Sequence, residues 1–149
     1  MAIQMAIRTL VFVAAISLPL TACKEMPPAG PPVSPVVCNS HVCMVAISVQ
    51  NCAIQVTPDT LPIDRRSQHV EIHWDIDTAS SPGASFAPNL QGIVINNNPP
   101  QFHQPNNPNP TKFIWSNDNT DSNTYKYTVT VVQNGVTCSP KDPFIANGR

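Results

Sequence analysis

Charge is scarce in this chain. Only 11% of its 149 residues are charged, against roughly 25% in an average soluble domain. Eight Lys and Arg stand against nine Asp and Glu, so neither sign dominates. A phosphate backbone is held by a positive field, and none is present, so nucleic acid is not expected as a partner. The same balance excludes an acidic disordered tail. Glycine is sparse as well, at five residues, whereas proline reaches 17. Prolines interrupt the second half so often that no window supports an amphipathic helix. No apolar run reaches the ~20 residues of a membrane-spanning helix. G-x-S-x-G, H-E-x-x-H and the P-loop are all missing, and no enzymatic activity is expected.

Residues 1–22 read as an address. Arg8 supplies a positive start, and Leu10 to Leu20 is an almost unbroken apolar run. Its length fits the ~7–15-residue core of a signal peptide. The run ends in Leu20-Thr21-Ala22-Cys23, which resembles the bacterial lipobox. In that family the cysteine is acylated and the peptide is cut before it, which would make Cys23 a membrane anchor. Several acyl chains, at ~0.8 kcal/mol per buried CH₂, hold a membrane where one chain would not. Lys24 follows. Lipoproteins retained in the inner membrane typically carry Asp there, so the resemblance favours the outer membrane.

Residues 23–36 follow as lipidated cysteine and tether. Five prolines in KEMPPAGPPVSPV favour extended polyproline II, a semi-rigid stalk at ~3.1 Å per residue. From about Val37 the pattern has period two. Cys43, Val45, Ile47 and Val49 alternate with Met44, Ala46 and Ser48. Val70, Ile72, Trp74 and Ile76 share one face, with Glu71, His73 and Asp75 on the other. Residues 90–95 and 112–116 are shorter strand candidates. Thr124 to Gln133 alternates again, and Asn134-Gly135 is the strongest hairpin signal. About seven strands over residues 37–149 predict an all-β domain, a small antiparallel immunoglobulin-like or cupredoxin-like sandwich. Its expected core includes Val70, Ile72, Trp74, Ile76, Tyr127, Val129 and Val131. Residues 96–110, rich in Asn and Pro, read as a long surface loop.

The second half, over about residues 68–147, resembles small exported bacterial β-sandwich domains. The shared order is I-x-W (Ile72, Trp74), G-I-V-I (Gly92 to Ile95), F-x-W (Phe113, Trp115), Y-x-Y-x-V-x-V (Tyr125 to Val131) and D-P-x-I-x-N (Asp142 to Asn147). The resemblance bears on the fold and carries no activity.

Without Cys23, four cysteines remain: Cys38, Cys43, Cys52 and Cys138. In an exported chain this number implies two disulfides. A turn at Gln50-Asn51 would put Cys43 at the far end of its hairpin from Cys52, beyond disulfide reach. The Asn134-Gly135 turn pairs Val131 with Cys138, which aims Cys138 inward. Cys38–Cys43 with Cys52–Cys138 is therefore favoured, and Cys38–Cys52 with Cys43–Cys138 stays open.

Metal and cofactor signals fade on inspection. Cys38, His41 and Met44 have the C-x-x-H-x-x-M spacing of some blue-copper sites, but no earlier strand supplies the second histidine. His69 and His73 would lie ~13 Å apart on a strand, too far to share an ion. Asn117 to Asn123 alternates oxygen donors without the Gly and Glu of an EF-hand loop. No metal and no cofactor are expected. Phe102 and His103 stand out in the Asn/Pro-rich stretch as partner-binding candidates, since a loop aromatic among amides can stack on a sugar ring. The expected function is a non-enzymatic envelope lipoprotein, membrane-attached through Cys23, that binds an envelope protein or glycan. The alternative is a periplasmic inhibitor or immunity protein against a hydrolase or toxin.

Overall fold

The computed structural model describes residues 37–148. The signal peptide, Cys23 and the tether lie outside the described residues. Within them the chain is all β, with twelve strands: β1 (Val42–Gln50), β2 (Ala53–Thr57), β3 (Thr60–Pro62), β4 (Val70–Ile76), β5 (Ala84–Phe86), β6 (Ile93–Ile95), β7 (Phe102–Asn109), β8 (Lys112–Asn117), β9 (Thr124–Val129), β10 (Val131–Gln133), β11 (Val136–Thr137) and β12 (Phe144–Ala146).

One layer is a five-stranded sheet in the order β2-β1-β4-β8-β7. The other is strung along residues 124–133. There β9 belongs to the sheet β3-β12-β9-β6, and β10 to the sheet β11-β10-β5. The alternation expected over 124–133 is present throughout, but the strand pairing is broken at Thr130. The Thr130 N–H donates to the Gly92 carbonyl and its own carbonyl accepts from Ala87 N–H, at 2.8 and 3.0 Å. One residue thus hands the chain from one small sheet to the next.

The inward faces meet as the alternation requires. Val70, Ile72, Trp74, Ile76, Tyr127, Val129 and Val131 are all buried. Trp74 on β4 packs edge-on against Tyr127 on β9, with ring centroids 5.3 Å apart. Phe113 on β8 does the same with Phe86 on β5, at 5.7 Å. The Trp115 indole Nε1 reaches across to the Ile93 carbonyl at 3.1 Å. Gly92 sits at a tight point of the core, since a Cβ there would lie 2.7 Å from the Phe86 Cβ and 3.1 Å from the Phe113 ring in the facing layer.

Three sequence expectations need correction. First, the sandwich is not purely antiparallel, because β1 pairs β4 and β3 pairs β12 in parallel. Parallel neighbours need a long crossover. The connection from β2 to β4 provides it by running through β3 in the opposite layer. Second, the first hairpin turns at Asn51 and Cys52, both with positive φ (50° and 62°), one residue later than Gln50-Asn51. Gln50 therefore opposes Ala53, and Val49 opposes Ile54. Third, residues 102–109 of the expected loop form a strand. β7 pairs β8 through His103, Asn106 and Asn109, opposite Ser116, Ile114 and Lys112. Every third residue of β7 meets every second residue of β8, with a register shift at each step. Pro105 and Pro108 fall in those steps, where no ladder N–H is required. Only an edge strand tolerates this.

The disulfides are Cys38–Cys43 and Cys52–Cys138, with Cα–Cα distances of 5.6 and 4.9 Å. The register of the second hairpin explains the latter. Asn134 and Gly135, with φ of 51° and 81°, close a turn that pairs Gln133 with Val136. The Cys138 N–H then bonds the Val131 carbonyl at 2.9 Å, and the thiol is carried inward toward Cys52.

Candidate functional site

Pairing of β8 with both β4 and β7 gathers several loops at one end of the five-stranded sheet. Asn117, the last residue of β8, lies opposite Val70 on one side and Phe102 on the other. His69, Gln101, His103 and Asp118 are thereby brought together from three separate stretches of chain.

Asp118 is the centre of this cluster. One of its oxygens, Oδ1, faces His69 Nδ1 at 2.9 Å and His103 Nε2 at 3.1 Å. A carboxylate can only accept, so both ring nitrogens carry a proton and donate. Bonds from His103, then from His69, hold the Asp118 carboxyl below the ordinary carboxylate range. His69 enters β4 with φ at 51°, a left-handed conformation that costs a non-glycine residue about 1 kcal/mol or more.

Behind Asp118 lies a net of buried amides. Asn117, Asn119, Asn147 and Gln101 are all buried, and of their side-chain polar atoms only the Asn119 Oδ1 is buried without a hydrogen-bond partner. Asn117 Nδ2 donates to Asn147 Oδ1 at 2.8 Å, and Asn147 Nδ2 to Gln101 Oε1 at 2.9 Å. Asn119 Nδ2 donates to the Asp64 and Ser67 carbonyls at 2.9 and 2.7 Å. Gln101 Nε2 donates to Asp121 at 3.0 Å and to the Tyr125 hydroxyl. Asp121 also accepts from the Tyr125 hydroxyl and from Asn123 N–H. Burial pushes the Asp121 carboxyl up, but bonds from Tyr125, Asn123, Gln101 and Asn147 outweigh it and leave it lowered. Burial, and then Asp121, raise the Tyr125 phenol.

A cleft of about 320 Å³ opens beside this net, between Pro99 and Pro100 on one side and Asp118, Thr120, Asp121 and Tyr125 on the other. A larger cleft of about 570 Å³ lies near the Cys52–Cys138 bridge, lined by residues such as Val49, Gln50, Ser80, Asn134 and Val136. None of its lining side chains is ionisable. Gln133 there is committed to Cys52 N–H and to the Val49 and Pro82 carbonyls. The chemistry is concentrated at the Asp118 end.

The two partner candidates read from the sequence separate here. His103 is half-exposed and belongs to the cluster. Phe102 is only 3% exposed, and its ring stands edge-on to Tyr125 at 5.1 Å. The face expected to stack on a ligand is turned into the protein, so Phe102 supports the site from behind. Phe102→Ala is therefore expected to cost about 3 kcal/mol of stability, in the range of buried aromatic truncations. Chemical denaturation checks this.

His69 and His73 do not converge. His73 Nε2 faces Glu71 at 2.9 Å, while His69 faces Asp118. Cys38 is taken by its disulfide, and Met44 stands exposed. In the 117–123 stretch Asn117 and Asn119 turn into the buried net, while Asn123 stays exposed and bonds Asp121. Among the described residues no group of three or more His, Cys, Asp or Glu side chains is arranged to hold a metal ion. Sequence reading missed Asp118 and Gln101 and saw Asp121 only as an oxygen donor of the 117–123 stretch, because their roles arise from strand pairings far apart in the chain. No family model matches this chain, and no curated protein matches it.

The lowered carboxyls set a pH dependence. Asp77, Asp118, Asp121 and Asp142 all have depressed pKa values. A depressed carboxyl adds stability above its unfolded pKa of about 3.9 and loses it as pH falls through the folded value. Thermal melts should be insensitive to these groups from neutral pH down to about 5 and should decline below about 4, modestly because the groups lie near the surface.

Proposed function

We propose that this chain is a non-enzymatic lipoprotein of the cell envelope, attached through acylated Cys23. In this reading it binds an envelope protein or glycan at the Asp118 end of its sandwich. The observation that carries the reading is the Asp118 carboxylate, bonded by the half-exposed His103 and the largely exposed His69 beside a cleft of mixed polarity. Donors and acceptors held in place by a buried amide net lose little freedom on binding, which favours recognition. Among the described residues neither imidazole is hydrogen-bonded to a hydroxyl or thiol that could serve as a nucleophile, and Cys38, Cys43, Cys52 and Cys138 are engaged in disulfides. Both points favour binding over nucleophilic catalysis. Disulfides fit an oxidising compartment such as the periplasm, in keeping with the lipobox resemblance, and Lys24 favours the outer membrane.

Mass spectrometry of the membrane-extracted chain tests the anchor. An acylated amino terminus at Cys23 is expected, with a Cys23→Ser variant released from the membrane. A mature chain still beginning at Met1 would overturn it.

A further inference from the structure

The two edges of the five-stranded sheet are built differently. β7, at one edge, carries Pro105 and Pro108 and two register shifts, all devices that blunt pairing with another chain. β2, at the other edge, has none of them. Its residues Ala53 to Thr57 include no proline and no charge, and they pair with β1 without a shift. The whole hairpin from Val42 to Thr57 contains no Asp, Glu, Lys or Arg. Its outer face leaves Val42 and Met44 41% and 53% exposed. An uncharged, unblunted edge of this kind is a template for a further strand.

The turn fixes which backbone groups are free. Gln50 and Ala53 close a two-residue turn and form a hydrogen-bonded pair, and such pairs alternate along an antiparallel ladder. Ala53, Gln55 and Thr57 therefore bond inward to β1. Ile54 and Val56 turn their N–H and C=O groups outward. No backbone hydrogen bond from a turn, loop or other element reaches either residue among the described residues.

We infer that β2 pairs with β2 of a second copy of this chain, antiparallel about a two-fold axis through Gln55. The register is self-complementary. Ile54 and Val56 of one copy face Val56 and Ile54 of the other, which makes four backbone hydrogen bonds. Ala53 opposes Thr57, and the two Gln55 residues oppose each other with amide side chains that can bond reciprocally. No like charges meet, and the two five-stranded sheets become one continuous sheet.

Cysteine cross-linking in the full chain tests the register. The Gln55 residues form a non-hydrogen-bonded pair, whose Cα atoms stand about 4.5 Å apart, within disulfide range. Gln55→Cys should give a reducible species of twice the mass on a non-reducing gel. Thr57→Cys should stay monomeric, because its copies lie roughly 13 Å apart. No Gln55→Cys dimer, equal cross-linking of Thr57→Cys, or a product joined to a different protein would each overturn the inference. A second measurement avoids added thiols. Gln55→Lys and Gln55→Glu should each weaken self-association several-fold in sedimentation, and mixing the two should restore it. Unaltered association of either variant alone would count equally against this pairing.

Discussion

Replacing Trp74 by alanine is expected to remove about 3–5 kcal/mol of stability, a large share of the ~5–15 kcal/mol that holds a small domain folded. Trp74 is fully buried at the centre of the sandwich. It lies on the middle strand of the larger sheet, opposite Val45 on one side and Phe113 on the other. Its ring packs edge-on against Tyr127 in the facing layer. Truncation empties a space that four strands line, and a sheet held on both sides cannot collapse to fill it. Trp74→Phe should cost much less. The Trp74 Nε1 makes no full hydrogen bond and only approaches the Tyr127 hydroxyl, enough to oppose slightly the upward push of burial on that phenol, so its removal gives up at most a weak contact. Trp115→Phe differs, because its Nε1 bonds the Ile93 carbonyl and that acceptor would be left unpaired. Urea unfolding of the three variants should therefore rank Trp74→Ala as the most destabilised and Trp74→Phe as the least.

Loss of the Cys52–Cys138 bridge is expected to cost at least as much. It closes a separation of 86 residues, for which the chain-entropy model gives nominally ~4–5 kcal/mol. The Cys38–Cys43 bridge spans a separation of only five and is worth roughly 2 kcal/mol on the same model. Paired alanine substitutions avoid stray thiols. The Cys52→Ala/Cys138→Ala protein should unfold at clearly lower denaturant than Cys38→Ala/Cys43→Ala. Equal midpoints would mean that the long bridge constrains the unfolded chain no more than the short one.

The parts of the fold that were legible in the sequence are those fixed by local chemistry. Strict alternation over 70–76 marked one buried face, because a strand between two neighbours exposes only its other side. Asn134-Gly135 set the register that carries Cys138 inward, and with it the disulfide pairing. The first turn was misplaced by one residue, since Cys52 at φ 62° is not a residue that announces a left-handed turn. β7 was invisible for a related reason. A strand that pairs every third residue has no period of two, and its prolines signal a loop unless its place at an edge is known.

The site was half legible. His103 stood out among amides, but nothing near it in sequence announces Asp118 or His69. Their meeting depends on β8 pairing with β4 and with β7, contacts between segments 15 and 49 residues apart. Phe102 was noticed for its ring, and its burial followed from the strand that the sequence hid.

The most direct test of the account is a titration. The full chain, immobilised, is used to capture its partner from envelope extract, and the partner's affinity is then measured for wild type, Asp118→Ala and Glu71→Ala. Asp118 anchors the cluster, so its loss should weaken binding about ten- to a hundred-fold, the range of an interface hot spot at ~1–3 kcal/mol. Glu71 lies exposed on the sheet's outer face and bonds His73 rather than Asp118, and its loss should leave affinity nearly unchanged. A folded Asp118→Ala protein that binds as tightly as wild type would contradict the account and remove the partner from this end of the sandwich.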